Sequence, residues 1–249
     1  MSHSLFLNHH NHSIAYEHHK GKTPGVVFLS GFRSDMTGTK AQALKDHCKE
    51  HNISYTCFDY TGHGSSTGDF LELSIGDWIA DALAILDEVT EGPQILIGSS
   101  MGGWIMLHLA LLRPHRVAGL IGIAPAPDFT ENEIRKKLPP KQLQEIEKNG
   151  VLHLPSCYDD STFPITKKLL EEGREHLLLT HDVIPIECPV SILHGMKDVD
   201  VPYQNSIVLA DKLKTDKVKL TFVKDGDHRF SAAENLALLF REVREMRGL

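Results

Sequence analysis

Gly98-Ser99-Ser100-Met101-Gly102 sets a hydroxyl between two glycines, directly after the apolar run Gln94–Ile97 and before the helical pattern Met101–Leu112. In that strand–turn–helix context a serine becomes a nucleophile at the tip of a sharp turn. Glycine is needed two residues before and after it, because a Cβ at either place would collide with neighbouring backbone. By this rule Ser100 is the nucleophile, since Ser99 has Ile97 and Met101 at the same offsets. A second match, Gly64-Ser65-Ser66-Thr67-Gly68, lies in a glycine-rich stretch with no helix opening at its serine, and it reads as loop structure. A serine hydroxyl is a weak nucleophile until a base takes its proton, and the base needs a carboxylate to hold its tautomer.

The elements that must position such groups follow from hydrophobic periodicity. Val26–Ser30, Ile53–Tyr60, Gln94–Ser99, Val117–Pro125, Pro189–Gly195 and Val218–Lys224 read as short buried strands. Between them, helical spacing predicts Lys40–His51, with Ala41, Leu44 and Cys48 inward, then Ile75–Val89, Met101–Leu112 and Tyr203–Lys214. A last helix is predicted from Ser231, with Glu234 three residues on as a capping box and Leu236, Leu239, Phe240 and Val243 buried. Strand–helix alternation with near-continuous apolar strands predicts a mostly parallel sheet with helices on both faces. Residues 1–249 read as one domain. Residues 126–185 differ in texture, being rich in Glu and Lys and broken by Pro139-Pro140, Pro155 and Pro164. They are expected to form two or three short amphipathic helices as a lid over the sheet's carboxyl edge, where open α/β sheets bind ligands.

A G-x-S-x-G serine on this scaffold marks the α/β-hydrolase type, whose chain order is nucleophile, acid, histidine. After the strand Pro189–Gly195 one histidine remains, His228, between the last strand and the last helix. It is the expected general base, while His194 is expected to support the strand end. Asp198, three residues past Gly195, is the expected orienting acid; Asp200 is its competitor but abuts Val201-Pro202 and the next helix. The oxyanion hole needs two backbone N–H donors, expected from Met101 and from Phe32 in the turn after Val26–Ser30, each worth about 3 kcal/mol of barrier. The implied chemistry is cleavage of a small-molecule ester or acyl thioester through an acyl-Ser100 intermediate, with no cofactor and no metal. A lipase acting on monoacylglycerol or lysophospholipid, and a non-hydrolytic ligand receptor on the same fold, are the alternatives. A dehalogenase is excluded, since that reaction needs a carboxylate at the turn.

Bulk composition agrees. The 249 residues are 41% hydrophobic and carry a net charge of −7, which argues against nucleic acid as a partner. Residues 1–8 hold no charged n-region and no long apolar run, so neither a secretory signal nor stable membrane insertion is expected. Four cysteines without paired spacing (Cys48, Cys57, Cys157 and Cys188) fit free thiols in a reducing, cytoplasmic setting. Five of the sixteen histidines fall within His9–His19, yet no carboxylate or cysteine stands beside them at ligand spacing. That stretch reads as a polar hairpin, Ser4–Asn8 against His12–His19.

Several longer segments carry a closer resemblance: Gly38-Thr39-Lys40-Ala41, Phe58-Asp59-Tyr60, Gly92-Pro93-Gln94-Ile95-Leu96, Gly98 through Trp104, Leu193 through Asp198, and Asp227-His228-Arg229. With Gly150-Val151 and Leu154-Pro155-Ser156 inside the lid, they resemble the family of the palmitoyl-protein thioesterase and mycophenolic acid acyl-glucuronide esterase, including its bacterial relatives. The resemblance implies ester or thioester hydrolysis and puts that family's triad on Ser100, Asp198 and His228. The turn Phe32-Arg33-Ser34-Asp35 is more polar than its counterpart there, which leaves the acyl specificity open.

Overall fold

The computed structural model of the chain describes residues 4–155 and 162–248; Ser156 and Cys157 lie outside the described residues. The chain opens with the expected hairpin, β1 (Leu5–His9) against β2 (His12–His19). His10 and Asn11 join them with φ of 43° and 67°. Two consecutive positive φ values match the twist of an antiparallel pair.

β3 (Lys22–Leu29), β4 (Ile53–Phe58), β5 (Gln94–Ser99) and β6 (Val117–Ile123) follow, each tied to the next by helical chain. After a two-stranded sheet of β7 (Val151–Pro155) and β8 (Thr162–Thr166) come β9 (Val190–Gly195) and β10 (Val218–Val223). The main sheet runs β1-β2-β4-β3-β5-β6-β9-β10. From β4 to β10 it is parallel, and β2 joins it antiparallel to β4. β5 and β9 are buried at every residue, as strands covered on both faces must be.

One face packs α2 (Ile75–Ala84), α3 (Met101–Leu112) and α5 (Lys167–Gly173) around the fully buried Trp78 and Trp104. The other face packs α1 (Thr39–Glu50) and α7 (Ala233–Met246) through Ala41, Leu44, Cys48, Leu239 and Val243. Each such large side chain contributes about 2 kcal/mol of burial. α2 begins after Ser74, whose backbone N–H donates to Asp77 Oδ2 at 2.8 Å, and runs on as a π turn over Ile85–Val89.

Two expectations are corrected. No capping box forms at Ser231, because its hydroxyl donates to Arg229 O at 3.0 Å within the turn and α7 starts later, behind Ala232. The stretch 126–185 is not purely helical either. It holds a π turn over Thr130–Arg135, α4 (Pro140–Asn149) and α5, but also the β7–β8 hairpin. Pro155 and Pro164 masked those strands in the sequence, and an isolated two-stranded sheet tolerates proline because its outer edges need no ladder bonds. At the root of the insertion the buried Asp128 carboxylate accepts from the Leu178 and Leu179 amides, both at 2.8 Å, and ties the outgoing chain to the returning one.

Burial of two histidines has a consequence for stability. Desolvation pushes His63 down to about 4, against the opposing bond to the Thr61 carbonyl, and pushes His108 down to about 4 against its bond to the His176 carbonyl. Between these values and the unfolded value near 6.5 the unfolded chain binds more protons, so stability is complete above about pH 6.5 and falls as pH drops toward 4. These two groups together are expected to make the protein on the order of 3–4 kcal/mol less stable in urea titrations at pH 5 than at pH 7. His108→Gln, which keeps a donor but cannot be protonated, should flatten that slope; an unchanged slope would refute the assignment.

Candidate active site

β5 ends at Ser99 and α3 starts at Met101, so Ser100 alone makes the turn, with φ 52° and ψ −117°. A non-glycine residue there is strained, and the surroundings hold it. Its N–H donates to Ile123 O at 3.0 Å, and its carbonyl accepts from Gly103 N at 2.8 Å and Ala126 N at 3.0 Å. The flanking glycines are sterically required: an ideal Cβ on Gly98 would lie 2.4 Å from Gly102 O, and one on Gly102 would lie 2.1 Å from Leu29 O.

The other two groups arrive on the turns after β9 and β10, which are stitched together by Met196 N to Val223 O at 2.8 Å and Lys197 N to Gly226 O at 2.9 Å. His228 Nε2 stands 3.1 Å from Ser100 Oγ, and His228 Nδ1 stands 2.7 Å from Asp198 Oδ2. Facing a carboxylate, Nδ1 carries the proton, which leaves Nε2 as the acceptor of the serine hydroxyl. Burial alone would push the Asp198 carboxyl up. Hydrogen bonds from His194 and His228, with the His228 charge and the Val201 amide, outweigh it and hold the group far below the usual carboxylate range. Asp198 Oδ1 accepts from the amides of Asp200 and Val201, at 2.9 and 2.8 Å. Asp200 therefore serves Asp198 with its backbone, and it is Asp198 whose carboxylate meets His228.

Asp198, Asp200 and His228 also offer three ligand atoms within 4.8 Å of one another, the one such grouping among the described residues. The Asp198 oxygens are already committed to four N–H donors, which makes the set a poor cation site. The hairpin histidines form no such cluster.

Sequence reasoning did not foresee that His194 would hold Asp198. Its Nε2 lies 3.0 Å from Asp198 Oδ2, so it does more than support the strand end. The signal was its place four residues before Asp198 on a fully buried strand. The second G-x-S-x-G match is structural: Ser66 Oγ donates to Asp59 O at 2.6 Å and accepts from Ala15 N at 2.8 Å, and Ser65 N donates to Asp59 Oδ2.

Ser100 and His228 open into a cavity of about 640 Å³. The Phe32 ring lines it, 5.6 Å from Phe129 and 6.4 Å from Phe163 on the same cavity, and packs 5.3 Å from Phe70. The stretch 126–185 lines the cavity with the apolar Phe129, Ile134, Leu138, Leu154, Phe163 and Ile165 and with the charged Glu133 and Lys137, individual members that periodicity could not single out. Arg33, beside Phe32, donates to Thr162 O at 2.5 Å and links the turn to β8. The lining also includes Lys40, which burial pushes down to about 8 although Asp227 pulls the other way. Among the described residues neither the Phe32 nor the Met101 amide is taken by another acceptor.

Comparison with known proteins accords with this geometry. A family model described as serine aminopeptidase, S33 matches residues 22–154. Palmitoyl-protein thioesterase ABHD10, mitochondrial, of Mus musculus is 44% identical over 235 residues, covering 94% of this chain and 78% of that protein. The chain belongs to the α/β-hydrolase family. It is a hydrolase of the carboxylic ester and thioester class. The solved structure of the mouse α/β-hydrolase domain-containing protein 10 superposes with a TM-score of 0.91 at 42% identity, covering 99% of this chain and 98% of that one. An Agrobacterium vitis S4 protein described as a hydrolase gives 0.93 at 38% identity, with the same coverage of both chains. Among the described residues no helix of this α/β hydrolase is long and apolar enough to cross a membrane.

Proposed function

We propose that this hydrolase works through an acyl-enzyme on Ser100, with His228 as general base, Asp198 as the orienting acid, and the Phe32 and Met101 amides as the oxyanion hole. The observation that carries the reading is the unbroken chain from Ser100 Oγ to His228 Nε2 at 3.1 Å and from His228 Nδ1 to Asp198 Oδ2 at 2.7 Å, opening on the cavity. Ser100 Oγ attacks the carbonyl carbon as His228 takes its proton, and the two amides receive the oxyanion. His228 then returns the proton to the departing alcohol or thiol. Water, activated by the same imidazole, releases the acid and restores the serine.

The residues 126–185 act as a lid, and their six apolar side chains on the cavity, against two charged ones, favour an apolar acyl group over a polar one. The relatives named as palmitoyl-protein thioesterases support acyl thioesters as part of the substrate range. We place the protein in a reducing compartment, the cytoplasm. Cys48, Cys57 and Cys188 are free, and burial pushes their thiols up to about 12, 12 and 11, so none is a ready redox or nucleophilic thiol.

The test is a series of p-nitrophenyl esters from acetyl to palmitoyl, with Ser100→Ala alongside and a fluorophosphonate probe. The expected result is a Ser100 adduct, rates that rise from acetyl to octanoyl, and a loss of at least about a thousandfold in kcat in the variant. No adduct and no Ser100-dependent turnover would leave a ligand receptor. A maximum at acetyl would remove the apolar-acyl preference.

A further inference from the structure

His194, next to last in β9, has a fully buried side chain. Its Nε2 faces two atoms that can only accept, Asp198 Oδ2 at 3.0 Å and Val201 O at 3.1 Å, so that nitrogen carries the proton. In the neutral ring Nδ1 is then an acceptor, and it takes the hydroxyl proton of Ser206, 2.7 Å away on α6 (Gln204–Lys212) and equally buried. Asp198 Oδ2 therefore receives two imidazole N–H groups, one from His228 and one from His194.

We propose that His194, held in this tautomer by Asp198 Oδ2 and the Val201 carbonyl and braced at Nδ1 by Ser206, is a positioning residue for the reaction, fixing Asp198 Oδ2 beneath His228 and moderating the pull of that carboxylate on the catalytic imidazole. The inference rests on the roles given above to Ser100, His228 and Asp198. An apolar side chain would fill the space between β9 and α6 at lower desolvation cost, so a ring using both nitrogens marks a requirement for hydrogen bonding. The charged or titratable groups around it are Asp198, His228 across that carboxylate, and Asp200, whose amide holds the other oxygen; α6 contributes the uncharged Ser206.

Removing His194 has two effects on the triad and none on substrate contacts. Asp198 loses one of the bonds that fix its plane, so the serine is activated less well. Its full charge then acts on His228, whose imidazolium is stabilised, so the acid limb of the rate profile moves to higher pH.

Three variants test this: His194→Leu, which removes the donor; His194→Gln, whose amide N–H reaches the Nε2 position; and Ser206→Ala, which removes the partner of Nδ1 and so loosens the ring. His194→Leu is expected to lower kcat about ten- to hundredfold with KM within about twofold, and to raise the acid limb of kcat/KM. His194→Gln should recover most of the rate, with Ser206→Ala between the two. If His194→Leu fails to fold by circular dichroism, the other two decide. Wild-type kcat and acid limb in Ser206→Ala, or a glutamine variant no better than the leucine one, would overturn the positioning role. Turnover that survives Ser100→Ala would instead overturn the nucleophile assignment beneath it, so the two failures are told apart.

Discussion

Exchanging Asp198 for asparagine is expected to lower kcat about ten-thousandfold while leaving KM nearly unchanged. All four partners of this carboxylate are donors: the imidazoles of His228 and His194 on Oδ2, and the amides of Asp200 and Val201 on Oδ1. An asparagine has one acceptor oxygen, so either orientation aims its NH₂ group at two N–H donors. If the amide turns toward the histidines, His228 must present a lone pair at Nδ1 and carry its proton at Nε2, the tautomer that cannot accept from Ser100. If it turns toward the backbone, two buried amides lose their acceptor. Asp200→Asn should change kcat only a few-fold, since the Asp200 bond to Asp198 comes from its main chain. Steady-state rates on one p-nitrophenyl ester compare the two directly. An Asp198→Asn enzyme with a tenth of the wild-type rate would give the acid's role to another group.

Gly102→Ala is expected to cost more than about 3 kcal/mol of stability. Its Cβ would lie 2.1 Å from Leu29 O and 2.6 Å from Ser30 O, both main-chain atoms that no rotamer change can move. α3 would have to lift off the end of β3, carrying Met101 away from Ser30-Gly31-Phe32. The elbow and the turn proposed to hold the oxyanion share that contact, so any folded fraction should also lose about a hundredfold in kcat as its donors move apart. Urea unfolding measures the first effect and single-turnover rates per labelled Ser100 the second. A midpoint equal to that of the parent protein would show that the approach of α3 to β3 is looser than the 2.1 Å implies.

The most local features were the most legible. The predicted bounds of β5 and α3 coincide with those observed, because an apolar run ending at Gly98 and a helical pattern opening at Met101 leave little freedom between them. α1 runs Thr39–Glu50, one residue earlier at each end than the expected Lys40–His51, and Ala41, Leu44 and Cys48 face inward as their spacing requires. The Ser231 capping box failed because a hydroxyl in a turn has several acceptors within reach, and the fold that delivers His228 put Arg229 O nearest. The β7–β8 hairpin failed because each strand is only five residues long and carries a proline, too little for a period to register.

The site divides in the same way. The elbow needs glycines at fixed offsets, and the order of strands leaves a single late histidine, so Ser100 and His228 can be picked out from residue types and order alone. Asp198 and Asp200 could be separated only weakly, because two carboxylates two residues apart differ in which way their side chains face, and that depends on how the β9 turn packs against Gly226 and α6. His194 and Ser206, the cavity aromatics Phe129 and Phe163, and the link from Arg33 to Thr162 were beyond sequence reading, since each pairs residues on separate elements. The chain alone therefore determined which reaction class this hydrolase serves and which serine we propose as its nucleophile. The tertiary structure decided which carboxylate holds the histidine, what holds that carboxylate in turn, and what kind of wall faces the substrate, because these depend on distances across the sheet edge rather than on spacing along the chain.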